Sequence, residues 1–351
     1  MRNLTFVNAV NEAMYQAMDE CDNVIAYGLG VTDPKSIFGT TIGLEDRFGK
    51  ERVFDMPTSE NAMTGVAIGA ALNGIRPVMV HQRLDFFLLA MDQLVNSAAK
   101  WNYMFGGQNS VPITIRLIMG RGWGQGPTHS QNLQAWFAHI PGLKVVMPSS
   151  PEDAKGLLIS SIFDDNPVLF LEHRWLHNLT GNVPQTSYRT SIGKASILRE
   201  GDAITIVAMS LMTIEAIRAA DYLAKYGIYC EIIDLRTIRP LDWDTVFISV
   251  RKTGRLLALD TGHATGSVCG EILARVSSEC WSSLKSAPHR IAMPDYPEGT
   301  SPALTKNYHP RAENIVERIS AMIGVKVEIS LLAKQRTFPH DVPGDWFTGP
   351  F

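Results

Sequence analysis

A carboxylate stands where a turn becomes a helix in "VFDMPTSENAMTGVAIGAALNG", residues 53–74, and the chemistry open to it is proton transfer to or from a bound group. Position alone gives Glu60 a plainer use. An acid in the first helical turn meets unpaired backbone N–H groups, worth about 0.3–1 kcal/mol to any helix. The residues behind it add a second reason: Gly65, Ala67, Gly69, Ala70 and Ala71 strip the helix of side-chain bulk and let another backbone approach closely. That pattern predicts a Glu60 buried at an interface. His129 follows a glycine-rich loop, "MGRGWGQGPTHS", and suits general acid or base work, although a lone loop histidine is commonly just solvated. Arg121 in that loop and Arg83 in "VMVHQRLDFF" carry guanidinium groups able to pair with a carboxylate or phosphate, with surface exposure or structural salt bridges as the alternatives. Trp123, beside Arg121, would narrow the same entrance if the loop lines a cleft.

These groups need elements to position them. Short β-rich runs alternate with amphipathic or small-residue segments: "NVIAYGLG", the helix after Glu60, "RPVMVH", "FFLLAMDQLVNSAAKWNYM", "VPITIRLIM", "LKVVMP", "PEDAKGLLISSIF", "PVLFLEH". Such alternation predicts a parallel sheet covered by helices on both faces, an α/β fold. The first residues, with Phe6, Val7, Val10, Met14 and Met18 near helical spacing, predict a helix and differ from the apolar core of a signal peptide. Pro151 with Glu152 and Asp153 marks a helix start. From 178 to 190 the pattern breaks into polar and turn residues, then "ITIVAMS", "YCEIIDLR", "RLLALDT" and "HRIAMP" resume it. We therefore divide the chain into a first α/β domain at 1–177, a linker at 178–190, a second α/β domain at 191–328 and a tail at 329–351, which either docks or stays loose.

Composition narrows the classes of function. Of 351 residues, 45% are hydrophobic and 19% charged, with a formal net charge of −3, so no nucleic-acid footprint is indicated. Cys21, Cys230, Cys269 and Cys280 lack CxxC pairing and read as free thiols of a reducing compartment. No stretch has the ~18 apolar residues of a membrane span, and the simplest expectation is a cytoplasmic protein.

In order and spacing, "RVFDMPTSE", "AMDQLVNSAAK", "HSQ" at 129–131, "PGLKVV", "SPEDAKGLL", "IDLRTIRPLD" and "KTGRLL" resemble the beta subunits of thiamine-diphosphate-dependent 2-oxo acid dehydrogenases of the pyruvate, branched-chain and acetoin type. The similarity spans roughly residues 4–325. It implies a transketolase-like pyrimidine-binding domain followed by a transketolase C-terminal-like domain. It also implies that Glu60 contacts the aminopyrimidine of thiamine diphosphate at N1′, favouring the imino tautomer whose nitrogen takes a proton from the thiazolium ring. Phe86 matches the aromatic stacked on that pyrimidine, and Thr58 a residue lining its pocket. His129 matches a histidine that faces substrate or an incoming lipoyl group, while His139 fits a structural role. A monovalent cation, K⁺, would fall near Ile113, Ser161, Asp164 and Asn166.

No GDG diphosphate clamp occurs in the chain, so the resemblance implies an α2β2 heterotetramer whose alpha-type subunit supplies the diphosphate and Mg²⁺ ligands. Two positions depart from the family: Leu29 follows the first strand, and Val80 ends the strand before Phe86, where relatives carry acids. With Arg83 and Arg121, these motivate an anionic or polar 2-oxo acid substrate. The leading expectation is decarboxylation of a 2-oxo acid with transfer to the lipoyl arm of an acyltransferase. The small half of a split transketolase or acyloin-forming enzyme, using a non-lipoyl acceptor, is the first alternative. A non-catalytic assembly subunit is the second. A dinucleotide-binding oxidoreductase is disfavoured because "GLG" at 28–30 lacks the third glycine of the fingerprint.

Overall fold

The computed structural model describes residues 2–347. Two parallel sheets carry the chain. The larger has seven strands in the order Thr237–Arg239, Lys144–Val146, Val168–His173, Thr114–Met119, Arg76–His81, Val24–Gly28 and Val53–Asp55. Six of these come from the first half of the sequence and run parallel. The seventh, Thr237–Arg239, arrives from the second half and pairs antiparallel with Lys144–Val146. The smaller sheet, of five strands, has the order His289–Met293, Leu256–His263, Ile204–Ala208, Cys230–Asp234 and Ser196–Arg199, the last one antiparallel.

Burial on both faces explains why the strands read as near-continuous apolar runs. Helices Phe6–Glu20 and Pro151–Ile162 cover one face of the large sheet, burying Phe6, Val10, Met14, Leu157 and Leu158 against Val24, Val78 and Phe170. The opposite face takes Ala67, Ile68 and Ala71 of the Glu60–Leu72 helix together with Leu84, Phe87 and Leu94. Pro151 begins its helix as expected, with the Ser150 hydroxyl accepting from the Asp153 N–H at 3.1 Å. Gly28 is glycine by necessity, since a Cβ there would stand 2.0 Å from the Val80 carbonyl oxygen of the neighbouring strand.

Three segments differ from a plain reading of the sequence. "FFLLAMDQLVNSAAKWNYM" is broken into Leu84–Phe87, a 3₁₀ turn Leu88–Ala90, a π-helical stretch Gln93–Ala98 and Ala99–Met104. Wide turns of that kind concentrate at functional sites, and this one packs beside the Glu60–Leu72 helix. Within the stretch read as a linker, Thr180–Val183 pairs antiparallel with Arg2–Thr5. The tail forms a helix, Ile329–Lys334, and then docks: Arg336 meets Glu313, and the Trp346 indole donates to the Trp175 carbonyl at 2.8 Å. The last tail residues, 348–351, lie outside the described residues.

Candidate active site

In a parallel sheet, ligands bind beyond the carboxyl ends of the strands, and the singled-out residues gather at that edge of the large sheet. Val24–Gly28 and Val53–Asp55 end together, with the Met56 N–H donating to the Gly28 carbonyl at 2.9 Å. Asp55 then accepts from the N–H groups of Val31 and Thr32 and from the Thr32 hydroxyl, fixing the loop after one strand to the end of the other. The turn 56–59 leads into Glu60, the first residue of its helix. The Tyr27 hydroxyl donates to the Met63 carbonyl at 3.0 Å and holds that helix on the sheet.

Glu60 is 5% exposed. Among the described residues no group donates a hydrogen bond to its carboxylate; only its backbone carbonyl is engaged, by Thr64. The side chain is largely covered while its carboxylate is left available to a group from outside the chain. Thr58, two residues earlier, is exposed, and the Glu60–Leu72 helix leaves Ala62, Val66 and Gly69 open to solvent on one side. Leu89, on the 3₁₀ turn packed against this helix, is also exposed.

Phe86 and His129 meet. Their ring centroids are 5.4 Å apart and nearly perpendicular, an edge-to-face contact. What brings them together is a pair the sequence reading passed over: the Gln131 side chain donates to the Asp85 carboxylate at 2.7 Å. Each partner lies within two residues of one of the rings. Burial raises the Asp85 pKa, a shift that this hydrogen bond opposes. On the other side of the imidazole, the Thr128 hydroxyl lies 3.0 Å from His129 Nδ1, which leaves Nε2 for a ligand. An Asp directly before the aromatic and a Gln two residues after the histidine were visible signals, but only the fold joins them.

The two arginines behave differently. Arg121 is 1% exposed and pairs with Glu298 at 2.9 Å and Asp341 at 3.4 Å, while donating also to the Gly299 and Thr300 carbonyls. Of the readings open for it, the structural salt bridge matches this geometry, and a guanidinium so engaged is not free to meet substrate. Arg83 is 4% exposed and has no carboxylate within salt-bridge distance among the described residues. Its guanidinium lies 5.5 Å from the centre of the Phe38 ring, and that of Arg174, from the end of Val168–His173, lies 4.4 Å from the same ring. Burial lowers both pKa values to about 10. Trp123 is half exposed on its loop. Leu29 packs against the core and Val80 is fully buried, so the two positions where acids were expected serve as apolar packing.

Ile113, Ser161, Asp164 and Asn166 converge at the turn between Pro151–Ile162 and Val168–His173. The Ile113 carbonyl accepts from the Val168 N–H, that of Ser161 from the Asp164 N–H, and that of Asp164 from Arg76 at 3.0 Å. The Asn166 N–H donates to the Asp164 carboxylate. Among the described residues no group of three or more His, Cys, Asp or Glu side chains could hold a metal ion. No helix among the described residues is long and apolar enough to cross a membrane. The four cysteines are unpaired.

Comparison with known proteins gives two matches along the chain. Residues 2–178 match the family described as transketolase, pyrimidine binding domain, and residues 193–315 match transketolase, C-terminal domain. The chain is 42% identical to the acetoin:2,6-dichlorophenolindophenol oxidoreductase subunit beta of Cupriavidus necator, over 90% of this chain and 96% of that one. It is 41% identical to a pyruvate dehydrogenase E1 component subunit beta-2 of Oryza sativa, over 90% and 85% of the two chains. Identity to the 2-oxoisovalerate dehydrogenase subunit beta of Bacillus subtilis is 40%, over 84% and 90%. Among solved structures, a split-gene transketolase described as an inactive beta4 tetramer shares the fold, with a TM-score of 0.74 at 22% identity, covering 92% of this chain and all of that one.

Proposed function

The chain belongs to the transketolase family, in its pyrimidine-binding and C-terminal domains, and stands among the beta subunits of 2-oxo acid dehydrogenases; from that premise we propose that it supplies the aminopyrimidine half of a thiamine-diphosphate site shared with an alpha-type partner. One observation carries the reading: Glu60, 5% exposed and unpartnered, opens a helix whose small-residue side is uncovered in the single chain. When bound, thiamine diphosphate supplies the carbanion chemistry that cleaves a 2-oxo acid next to its carbonyl.

The side chains have separate tasks. Glu60 holds a proton at the pyrimidine N1′ and thereby sets which tautomer the ring adopts. Phe86 gives the ring a face to stack on, with His129 nearly perpendicular to it at 5.4 Å. Thr58 lines the entrance to the same pocket. His129, fixed at Nδ1 by Thr128, uses Nε2 as an acid or base toward substrate or acceptor. Trp123 borders the approach on the outer side of the loop. The alpha-type subunit brings the diphosphate and Mg²⁺ ligands, in an α2β2 assembly whose contact includes the exposed Val66 and Leu89. A monovalent cation such as K⁺ would use the remaining lone pairs of the Ile113, Ser161, Asp164 and Asn166 carbonyls. The acceptor is the lipoyl arm of an acyltransferase, and free thiols accord with a reducing compartment such as the cytoplasm.

A second reading keeps the cofactor and changes the acceptor to one without a lipoyl group, as in a split transketolase or acyloin-forming enzyme. The buried pair Arg83 and Arg174, with donor atoms lacking any partner among the described residues, favours it by offering positive charge to an anionic or polar substrate. The test of the main reading is Glu60→Gln in the assembled complex. Turnover of 2-oxo acids with an artificial electron acceptor should fall about 100-fold or more while assembly persists. Unchanged turnover would remove Glu60 from the mechanism.

A further inference from the structure

Besides the Gln131–Asp85 hydrogen bond, the loop that carries His129 is held from three sides, and one of them is the tail. Residues 120–133 leave the strand Thr114–Met119 and cross the edge of the sheet. The Gly122 carbonyl accepts from the Trp175 indole at 2.8 Å, which anchors the loop to the chain just beyond Val168–His173. Arg121 reaches Glu298, Gly299 and Thr300 of the second domain. Asp341 of the tail meets the same guanidinium at Nη2, and both it and Glu298 are nearly buried. Trp346 then donates to the Trp175 carbonyl, so the tail also grips the residue that grips the loop.

The tail is itself tied down along its length. Arg311 donates to the carbonyls of His340 and Val342 at 2.8 and 3.1 Å, and Arg218 donates to that of Pro343 at 3.0 Å. A buried guanidinium facing two carboxylates is well compensated, and removing one of the pair leaves charge without a partner. The loop contains several glycines and few hydrogen bonds of its own, among them the Gly122 N–H to the Gln125 side chain and the Gly120 N–H to the Gln131 carbonyl at its neck. Its conformation therefore depends on what surrounds it.

We propose that residues 336–346 are a positioning strap for the His129 loop, with Asp341 and Trp346 acting through Arg121 and Trp175. The catalytic consequence rests on the role proposed for His129; the strap itself does not. Misplacing a reacting group by about an ångström costs up to roughly 100-fold in rate, so a loosened loop lowers kcat while leaving the cofactor contacts of Glu60 and Phe86 intact.

The experiment uses the full chain with Asp341→Asn or Trp346→Phe, and a chain ending at Lys334. Trypsin cleavage after Arg121 is compared with cleavage after the exposed Lys50 as an internal standard, the fragments being identified by mass. We expect the Arg121 cut to quicken about tenfold in both point variants, because proteolysis follows the population of the opened loop. In the complex with its alpha-type partner, kcat should fall about tenfold with thiamine-diphosphate affinity unchanged. A peptide of residues 335–347 added to the truncated chain should restore protection. Cleavage at Arg121 unchanged in both point variants overturns the strap. Faster cleavage with an unaltered kcat overturns the positioning role. Absence of turnover in the unaltered complex would count against the functional reading, and the cleavage comparison would still decide the strap.

Discussion

At the scale of single residues, the proposed site is a carboxylate, an aromatic and an imidazole that follow strands ending at one edge, and the aromatic is the member whose contribution is easiest to isolate. Phe86 and His129 stand nearly perpendicular with centroids 5.4 Å apart, and Phe86 is the ring proposed to stack on the pyrimidine. Aromatic stacking beyond simple burial is worth about 0.5–1.5 kcal/mol. Phe86→Leu should therefore weaken thiamine-diphosphate binding by the complex by roughly two- to tenfold, read by calorimetric titration, with assembly unaffected; an unaltered affinity would return Phe86 to core packing. Glu60, Phe86 and His129 were singled out in the sequence because each sits in a short motif whose order along the chain is distinctive, and their site roles remain proposals. Asp85 with Gln131 was not, since the two are 46 residues apart and meet only because adjacent parallel strands end side by side. Arg121 was harder still: its carboxylates lie 177 and 220 residues away, and nothing local to "MGRGWG" reports them.

Elements explain where the sequence reading held and where it slipped. The runs read as "RPVMVH", "PEDAKGLLISSIF" and "PVLFLEH" became strand Arg76–His81, helix Pro151–Ile162 and strand Val168–His173, because burial on both faces makes hydrophobicity and β-branching sufficient signals. The stretch after Phe86 slipped because a π-helical turn has no signature in composition. "IDLRTIRP" shows a third case, in which a strand end joins elements from both halves of the chain. Asp234, at the end of Cys230–Asp234, accepts from the Ser149 hydroxyl just before the helix Pro151–Ile162, and Arg236 pairs with Asp153 of that helix at 2.9 Å. Burial pushes the Asp234 carboxyl from its usual 3.8 up to about 7, with the Asp153 charge adding to the rise and the Ser149 and Arg236 contacts opposing it. Between those values the folded chain binds the extra proton. Stability from the neutral carboxyl is thus fully present below about pH 4 and lost as pH rises through about 7. Asp234→Asn should narrow the gap between urea midpoints at pH 5 and pH 8; an unchanged gap would show that Asp234 is ionised throughout.

On the scale of the whole molecule, two domains share one core. The apolar cluster that includes Leu94, Ala98, Phe137 and Val145 of the first domain continues through Val207, Ile233, Leu235 and Ile238 of the second. The strand Thr237–Arg239 completes the first domain's sheet by pairing with Lys144–Val146, so the second domain caps an edge that the first would otherwise expose. Domains joined only by a linker unfold separately, whereas domains that share buried surface and a sheet edge lose both together. The tail extends the coupling, because Asp341 and Trp346 bind residues of the first domain after leaving the second. We therefore expect a single calorimetric transition for the intact chain, with van't Hoff and calorimetric enthalpies in agreement. A fragment of residues 1–190 should fail to give that transition and should associate through the uncovered Lys144–Val146 edge. Two resolved transitions, one of them reproduced by the fragment, would mean that the shared cluster contributes too little to couple the halves. The active-site edge would then owe its geometry to the first domain alone.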